Sequence, residues 1–225
     1  FDEYVSAAGW ISHDELLIAS ETKLFRFHLG DHNQTKLCDL EANNPITRSN
    51  DGRCDLQGGF WIGTMGKKAE AKAGAIYRYY RGNLVQLFPE ITIPNAICFA
   101  PDGHTAYFTD TPLRQILAVD LDTDGWPCVA VDLTGTADNP DGAVVDAQGN
   151  IWNAQWGAAR LACYSPQGVV LQTLDIGAAH PTCPAFAGAS DQIFCTSATE
   201  GIAPAALTVH DGQTFVAEVS AIGQL

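Results

Sequence analysis

Residues 95–111 read NAICFAPDGHTAYFTDT, and this stretch decides the fold because its pattern recurs at two other places in the chain. Residues 50–64, NDGRCDLQGGFWIGT, and residues 141–157, DGAVVDAQGNIWNAQWG, also begin with Asn or Asp and continue with a short apolar or alternating run. The three copies begin 45 and 46 residues apart, which indicates an internal repeat. Each copy has a turn glycine eight residues after its first residue and an aromatic residue soon afterwards, namely Gly58, Gly103 and Gly149, then Trp61, Tyr107 and Trp152.

Two weaker copies flank these three and bring the total to five. Residues 6–20, SAAGWISHDELLIAS, and residues 182–197, TCPAFAGASDQIFCTS, have the same run and turn, with Phe194 in the aromatic place of the second. The runs are rich in β-branched and aromatic residues and end at Gly, Pro, Asn and Asp clusters, as β-strands do. Hairpin turns are predicted at Pro101-Asp102-Gly103 and Asp124-Gly125. Further strands are predicted to start at Ala75, Gln115, Arg160 and Thr214.

The length of the repeat favours a β-propeller over a sandwich or a barrel. Four short strands in a unit of about 40–50 residues are typical of a propeller blade, and no segment shows an apolar stripe at helical spacing. We therefore predict an all-β fold in which residues 1–225 form a single propeller domain with about five four-stranded antiparallel blades. The repeats alone leave open whether the ring has five blades or has six and lacks one here.

Composition restricts the partners that the chain is expected to bind. The net charge is −14, and only 12 Lys and Arg residues are scattered along the chain, so no basic stripe is available for nucleic acid. No run of about 18 apolar residues exists to span a membrane. No G-x-S-x-G motif and no phosphate-binding glycine loop is present.

The seven cysteines predict a reducing compartment. None lies in a C-x-x-C pair, and Cys98, Cys163 and Cys195 lie inside apolar runs, where they are expected to be small buried hydrophobic residues. The N-terminus has no basic segment followed by an apolar stretch, so no signal peptide is expected. These features together predict a cytoplasmic protein.

Three residues occupy the same place in consecutive repeats: Asn50, Asn95 and Asp141. Each begins the first strand of its unit, the strand that lines the central channel of a propeller. Three oxygen-bearing side chains at one height predict a cation site, which suits Ca²⁺ best and Mg²⁺, Mn²⁺ or Zn²⁺ less well. The alternative is that these residues form turns by binding nearby backbone amides. The weaker copies have Ser6 and Thr182 in this place.

Other polar and aromatic residues are expected near the same end of the channel. Arg48, two residues before Asn50, could bind a carboxylate or sugar hydroxyls, or it could form a surface salt bridge. Trp156-Gly157 could form the wall of a pocket or pack between blades. His180 is a weak candidate for proton transfer.

Four motifs resemble one family, that of senescence marker protein (regucalcin), gluconolactonase and luciferin-regenerating enzyme. They are RSNDGRCDLQGGFWIGTM from Arg48, IPNAICFAPDGHTAYFTDT from Ile93, NPDGAVVDAQGNIWNAQWG from Asn139 and the weaker PTCPAFAGASDQIFCTSA from Pro181. The resemblance covers nearly the whole chain. It implies a six-bladed propeller with one divalent metal ion in the channel, and it places the start of this chain in the second blade, so that the first blade is missing.

The resemblance also implies roles for individual residues. Asn95 and Asp141 are expected to bind the metal directly, and Arg48 and Asn50 are expected to face the substrate, with Asn50 near the metal. The implied reaction is hydrolysis of a sugar lactone, in which the metal polarises the lactone carbonyl and activates water. Asp141 is the expected general base. Two alternatives are a non-catalytic calcium-binding or protein-interaction propeller, and a different ester hydrolase that uses the same metal.

The chain departs from the family at two points. The family's first metal ligand is a Glu in a motif of the first blade, and this chain has no such motif; Glu3 falls in the wrong register to replace it. In the segment after the GTM motif, where some animal members have a Glu that contacts substrate, this chain has Lys67 and Lys68.

Overall fold

The computed structural model describes residues 1–123 and 125–224, and they are almost entirely β-structure. They form two compact units, Phe1–Asn95 and Ala96–Leu225. Within the described ranges there is no α-helix, and the two short turns of 3-10 helix are Thr111–Leu113 and Pro204–Ala206. None of the helices described there has the length and apolar character needed to cross a lipid bilayer.

The first unit contains two antiparallel sheets of four strands, each with its strands side by side in chain order. The strands of the first sheet are β1 Val5–Trp10, β2 Glu15–Ser20, β3 Lys23–His28 and β4 Gln34–Asp39. The strands of the second sheet are β5 Thr47–Cys54, β6 Phe60–Gly66, β7 Gly74–Tyr80 and β8 Asn83–Ile91.

The second unit contains three further antiparallel sheets. The first of their strands, β9, begins at Pro94, two residues before the unit boundary at Ala96. The third sheet consists of β9 Pro94–Phe99, β10 Thr105–Asp110, β11 Gln115–Asp120 and β12 Cys128–Asp132. The fourth sheet consists of β13 Asn139–Val145, β14 Ile151–Trp156, β15 Arg160–Tyr164 and β16 Val170–Asp175. The fifth sheet consists of β17 Pro181–Phe186, β18 Gln192–Ser197 and β19 Thr214–Glu218.

The prediction of an all-β fold made of small antiparallel propeller blades is confirmed. The first strands of the five sheets lie where the five sequence copies begin, and the strands predicted from Ala75, Gln115, Arg160 and Thr214 are present as β7, β11, β15 and β19. The turn at Pro101-Asp102-Gly103 joins β9 to β10, with Gly103 at φ 75°. The turn predicted at Asp124-Gly125 includes Asp124, which lies outside the described residues.

The described residues contain five sheets, as the five sequence copies predict for this chain, and not the full ring of six that the resemblance implies for the family. One detail needs correction: the fifth sheet has three strands instead of four. The segment after β19 does not return to the edge of that sheet. Instead Gly223 pairs with Asp146, and the side chain of Gln224 donates hydrogen bonds to the carbonyls of Phe99 and Val145, so the segment binds the third and fourth sheets.

Each unit has its own apolar core between neighbouring sheets. In the first unit Leu17, Leu24 and Phe60 belong to a buried cluster. The second unit has two buried clusters. One includes Ile116 and Ile151, and the other includes Trp152, Leu161 and Ile193. Burial of one such side chain contributes about 1.5–3 kcal/mol, so these clusters hold adjacent sheets face to face and fix the ends of their strands.

A buried aspartate closes the first turn of the second and the fourth sheet. Asp55 accepts hydrogen bonds from the amides of Gln57 and Gly59 and from the indole nitrogen of Trp61 at 3.2 Å. Arg78 also donates to it, from Nε at 2.5 Å. The same spacing, Asp-x5-Trp, recurs at Asp146 and Trp152. It is the signal in the sequence from which both aspartates could be identified.

The arginine and the amides determine how the stability of the first unit depends on pH. Burial alone raises the pKa of Asp55, but the hydrogen bonds from Arg78 and from the amide of Gly59 outweigh it and hold that pKa below its usual range. A depressed native pKa contributes stability above the unfolded pKa of about 3.9, and this contribution is lost as the pH falls through the native pKa.

We therefore expect the wild type to exceed Asp55→Asn in free energy of unfolding most at neutral pH. The difference is expected to shrink as the pH falls from about 5 to 3, because the carboxylate becomes protonated and resembles the amide. Urea unfolding of both proteins at a series of pH values measures it. A difference that stays constant over this range contradicts the assignment.

Candidate functional site

The predicted site residues of the second and fourth sheets lie at β-bulges of the first strands. In β5, Ser49 pairs with Thr64 and Gly52 pairs with Ile62, so Asn50 and the following residue lie opposite a single residue of β6. A bulge bends its strand and changes the direction of the side chains at that point. Asn50 therefore does not follow the regular alternation of β5.

The same irregularity recurs in the second unit. In β13, Pro140 pairs with Gln155 and Ala143 with Asn153, so Asp141 and the next residue form the bulge. In β17 the shift falls between Pro181 and Pro184, and includes the predicted equivalent Thr182. Asn50, Asp141 and Thr182, which the repeat places in register, are thus also equivalent in local backbone geometry.

Gly142 follows Asp141 in the bulge of β13 and lies very close to β17. A Cβ atom at this position would lie 2.7 Å from the carbonyl oxygen of Thr182 and 3.0 Å from the Cα of Cys183. A side chain therefore cannot be accommodated without moving one strand. This contact fixes the position of the Asp141 backbone against the fifth sheet.

Arg48, Asn50 and Asn95 form a hydrogen-bonded row in the first unit. Arg48 Nη1 donates to Asn50 Oδ1 at 2.9 Å and to the carbonyl of Ser49 at 2.8 Å. Asn50 Nδ2 in turn donates to Asn95 Oδ1 at 3.1 Å and to the carbonyl of Pro94 at 2.9 Å. The structure thus brings together both predicted substrate-binding residues and one predicted metal ligand.

The environment of Arg48 does not favour the salt-bridge alternative. In the part of the chain that the structure describes, no carboxylate lies within ion-pair distance of its guanidinium group. The partners of the guanidinium are a backbone carbonyl and an amide oxygen, and the side chain is half-buried. A cation held in this way can still bind an anionic or hydroxyl-bearing ligand.

Asn95 is buried, with 6% of its surface exposed, and the backbone beside it is strained. Ala96 has φ 55°, a left-handed conformation that costs a non-glycine residue about 1–2 kcal/mol. Such conformations cluster at functional sites because the surrounding structure must maintain them. Asn95 Oδ1 accepts from Asn50 Nδ2, and an amide oxygen is one of the donor atoms that hard divalent cations use.

Asp141 is half-buried in the second unit and lies near a buried thiol. Burial raises the pKa of Cys195 to about 12, and the negative charge of Asp141 contributes to the shift. Cys195 is 1% exposed and forms no disulfide. Cys195 is therefore a buried core residue and not a nucleophile, as the sequence predicted.

The donor atoms of the predicted ligands suit a hard cation. Asn95 offers an amide oxygen and Asp141 a carboxylate, which are ligands typical of Ca²⁺. Among residues 1–123 and 125–224, no three His, Cys, Asp or Glu side chains are grouped so that they could hold a metal. This finding does not test the predicted ligands, because only Asp141 is of these residue types. Asn95 belongs to the first unit and Asp141 to the second, so their joint role stays a prediction.

Trp156 and His180 stack on each other at the end of β13 and β14 nearest Asp141. Their ring centroids are 4.2 Å apart and the planes differ by 17°. Trp156 pairs with Asn139, two residues before Asp141, and His180 Nδ1 donates to the carbonyl of Glu200 at 2.8 Å. The stack connects the fourth and fifth sheets, which agrees with the prediction that Trp156 could pack between blades. Trp156 also stays partly exposed beside the site. Proton transfer by His180 stays a prediction.

The two departures from the family pattern have structural roles in the first unit. Glu3 forms an ion pair with Lys23 at 2.6 Å and accepts hydrogen bonds from the hydroxyl and amide of Thr22, so its carboxylate stabilises the turn between β2 and β3. Lys67 forms an ion pair with Glu21 and donates to the carbonyl of Pro45 at 3.0 Å. Lys67 thereby ties the segment after β6 to neighbouring loops.

Comparison with known proteins gives a consistent result. Residues 1–199 match the family described as the SMP-30/Gluconolactonase/LRE-like region. A protein of Rhizobium meliloti (strain 1021) named "Putative sugar lactone lactonase" is 44% identical over 209 residues, which are 88% of this chain and 70% of that protein. The L-arabinolactonase of Azospirillum brasilense is 36% identical over 93% of this chain and 72% of its own length.

A solved structure extends the similarity to three dimensions. The crystal structure of a calcium-binding protein, regucalcin, from Agrobacterium tumefaciens str. C58 is 38% identical and has a TM-score of 0.95. The match covers 100% of this chain and 79% of that protein.

Proposed function

Because this chain belongs to the SMP-30/Gluconolactonase/LRE-like family, we propose that it is a lactonase that hydrolyses a sugar lactone with the help of one divalent metal ion. The observation that carries the proposal is the hydrogen-bonded row of Arg48, Asn50 and Asn95, at the places where the family motifs predict substrate and metal contacts. The relatives named as lactonases, at 44% and 36% identity, support the same reaction.

The reaction adds water to the carbonyl carbon of the lactone and breaks its ring C–O bond, giving a hydroxy acid. In this proposal Asp141 accepts a proton from the attacking water and returns it to the ring oxygen that leaves. Arg48 binds hydroxyls of the sugar away from the reacting bond, because its guanidinium offers several hydrogen-bond donors in a fixed geometry. Asn50 keeps Arg48 and the amide of Asn95 oriented through its two hydrogen bonds.

Asn95 and Asp141 are the proposed protein ligands of the metal. When bound, a divalent cation, with Ca²⁺ favoured and Zn²⁺, Mn²⁺ or Mg²⁺ as alternatives, polarises the lactone carbonyl and lowers the pKa of water. Buried amides such as that of Asn95 are suited to this role because they bind a cation without adding charge. The similarity to a protein described as calcium-binding supports the choice of Ca²⁺.

A second candidate function is calcium binding without catalysis. The same similarity favours it, and a propeller fold by itself does not imply an enzyme. Hydrolysis assays on a panel of sugar lactones, with L-arabinonolactone and D-gluconolactone first, separate the two. Turnover supports the lactonase, and calcium binding with no turnover across the panel supports the second candidate.

Arg48→Ala is expected to raise KM at least about tenfold, since a charge-assisted hydrogen bond contributes about 1.5–3 kcal/mol to binding. Its effect on kcat is expected to be smaller, because Arg48 does not touch the reacting bond. Initial rates of acid release at varied lactone concentration measure both. Arg81→Ala, at the exposed turn between β7 and β8, is the control and is expected to behave as the wild type. An unchanged KM in Arg48→Ala contradicts the proposed contact.

A further inference from the structure

Asn153 is a fully buried amide in β14, at a position that is not an amide in any other sheet. In β14 it pairs with Ala143 beside the Asp141 bulge, and in β6 the residue that pairs beside the Asn50 bulge is Ile62. The fifth sheet has Cys195 at this register, opposite Pro184. The fourth sheet, which carries Asp141, therefore has an amide side chain beside its bulge. The second and fifth sheets have Ile62 and Cys195 at the same register.

The contacts of Asn153 explain what the amide does. Its Nδ2 donates to the carbonyl of Asp141 at 2.9 Å and to the carbonyl of Gly142 at 3.1 Å. These are the two residues of the bulge. A bulge leaves backbone groups outside the regular ladder, and one amide nitrogen satisfies both of the carbonyls here.

The other end of the amide is not satisfied. Considering only the residues that the structure describes, Asn153 Oδ1 is buried and has no hydrogen-bond partner. The hydrogen bonds that this side chain makes with described residues both run from its nitrogen, and both end at the bulge.

We propose that Asn153 is a positioning residue for Asp141, which fixes the direction of its carboxylate by clamping the two carbonyls of the bulge. This inference rests on the proposed function, because it gives Asp141 the catalytic role. Gly142 fixes the same bulge from the opposite side by its close approach to β17. The backbone of Asp141 is therefore fixed by the hydrogen bonds from Asn153 and by the close packing of Gly142 against β17.

The test is Asn153→Leu, which keeps the volume and removes both the clamp and the unsatisfied oxygen. Amide hydrogen exchange of residues 139–145 is expected to accelerate, and kcat for lactone hydrolysis to fall about 10- to 100-fold, as for outer-shell residues that orient a ligand. The thermal midpoint is expected to fall, because the carbonyls of Asp141 and Gly142 lose the amide that donates to them. Asn153→Thr, whose hydroxyl can donate to one carbonyl, is expected to recover part of kcat.

Gln155→Leu is the matched control on the same strand. Gln155 is equally buried, but its amide bonds Tyr164 at 2.6 Å and Arg160 at 2.5 Å instead of the bulge. This variant is expected to lower the thermal midpoint and to leave exchange in residues 139–145 unchanged. Unchanged exchange and kcat in Asn153→Leu overturn the inference, as does a loss of kcat no larger than that of Gln155→Leu when both variants are assayed well below their thermal midpoints. If the wild type hydrolyses no lactone, the proposed function fails, and the exchange measurement still decides whether the clamp exists.

Discussion

Replacement of Asp141 by Ala is expected to lower kcat for lactone hydrolysis about 100- to 10,000-fold, the contribution typical of a positioned general base. The variant also loses the only charged ligand proposed for the metal, so metal binding is expected to weaken. Asp141→Asn separates the two roles, because the amide retains an oxygen for the cation but accepts no proton. It is expected to bind metal more weakly than the wild type but more tightly than the Ala variant, and at saturating metal to lose kcat as the Ala variant does.

The measurement is steady-state kinetics at saturating metal, together with a calcium titration of each variant by calorimetry. The control is Asp175→Asn, at the exposed end of β16, where the carboxylate accepts a hydrogen bond from the backbone amide of Gly177. It is expected to match the wild type in both assays. Full activity in Asp141→Ala contradicts the proposed mechanism, and full activity in Asp141→Asn contradicts proton transfer by this residue.

Replacement of Asp146 by Ala is expected to cost about 3 kcal/mol in free energy of unfolding, because it leaves one buried indole donor and two part-buried amides without their acceptor. Asp146 is 0% exposed and accepts from the amides of Gln148 and Asn150 and from the indole nitrogen of Trp152 at 3.0 Å. The loss is a large part of the total stability of a domain, which is about 5–15 kcal/mol. Urea unfolding monitored by tryptophan fluorescence measures it.

Asp122→Ala is the matched control for this prediction. Its carboxylate pairs with His104, but both side chains are more than 60% exposed, at 66% and 64%. Exposed pairs contribute about 0–1 kcal/mol, so the variant is expected to unfold close to the wild type. If both substitutions lowered the free energy of unfolding equally, the hydrogen bonds of Asp146 would contribute no more to stability than an exposed ion pair.

Much of the fold was predictable because the repeat carries it. The recurrence of residues 50–64, 95–111 and 141–157 identified the unit and the strands, since burial on one face imposes the same pattern on each blade. The three-stranded fifth sheet was not predictable. The side chain of Gln224, beyond β19, binds the carbonyls of Phe99 and Val145, and no local pattern indicates such a distant contact.

The candidate site was predictable in its residues but not in its geometry. The repeat placed Asn50, Asn95 and Asp141 in register, and the structure brings Asn50 and Asn95 together. The bulge was not visible, because a register shift depends on both strands of a pair. Asn153 was missed for the same reason: it lies in an apolar strand, and only its pairing shows that it faces the bulge.

The central claim, a metal-dependent lactonase, is tested most directly by turnover of a sugar lactone before and after removal of metal with a chelator. We expect turnover to be lost with the metal and restored by added Ca²⁺ or another divalent cation, with saturation near one ion per chain. Undiminished turnover by protein shown to be free of metal would contradict the account.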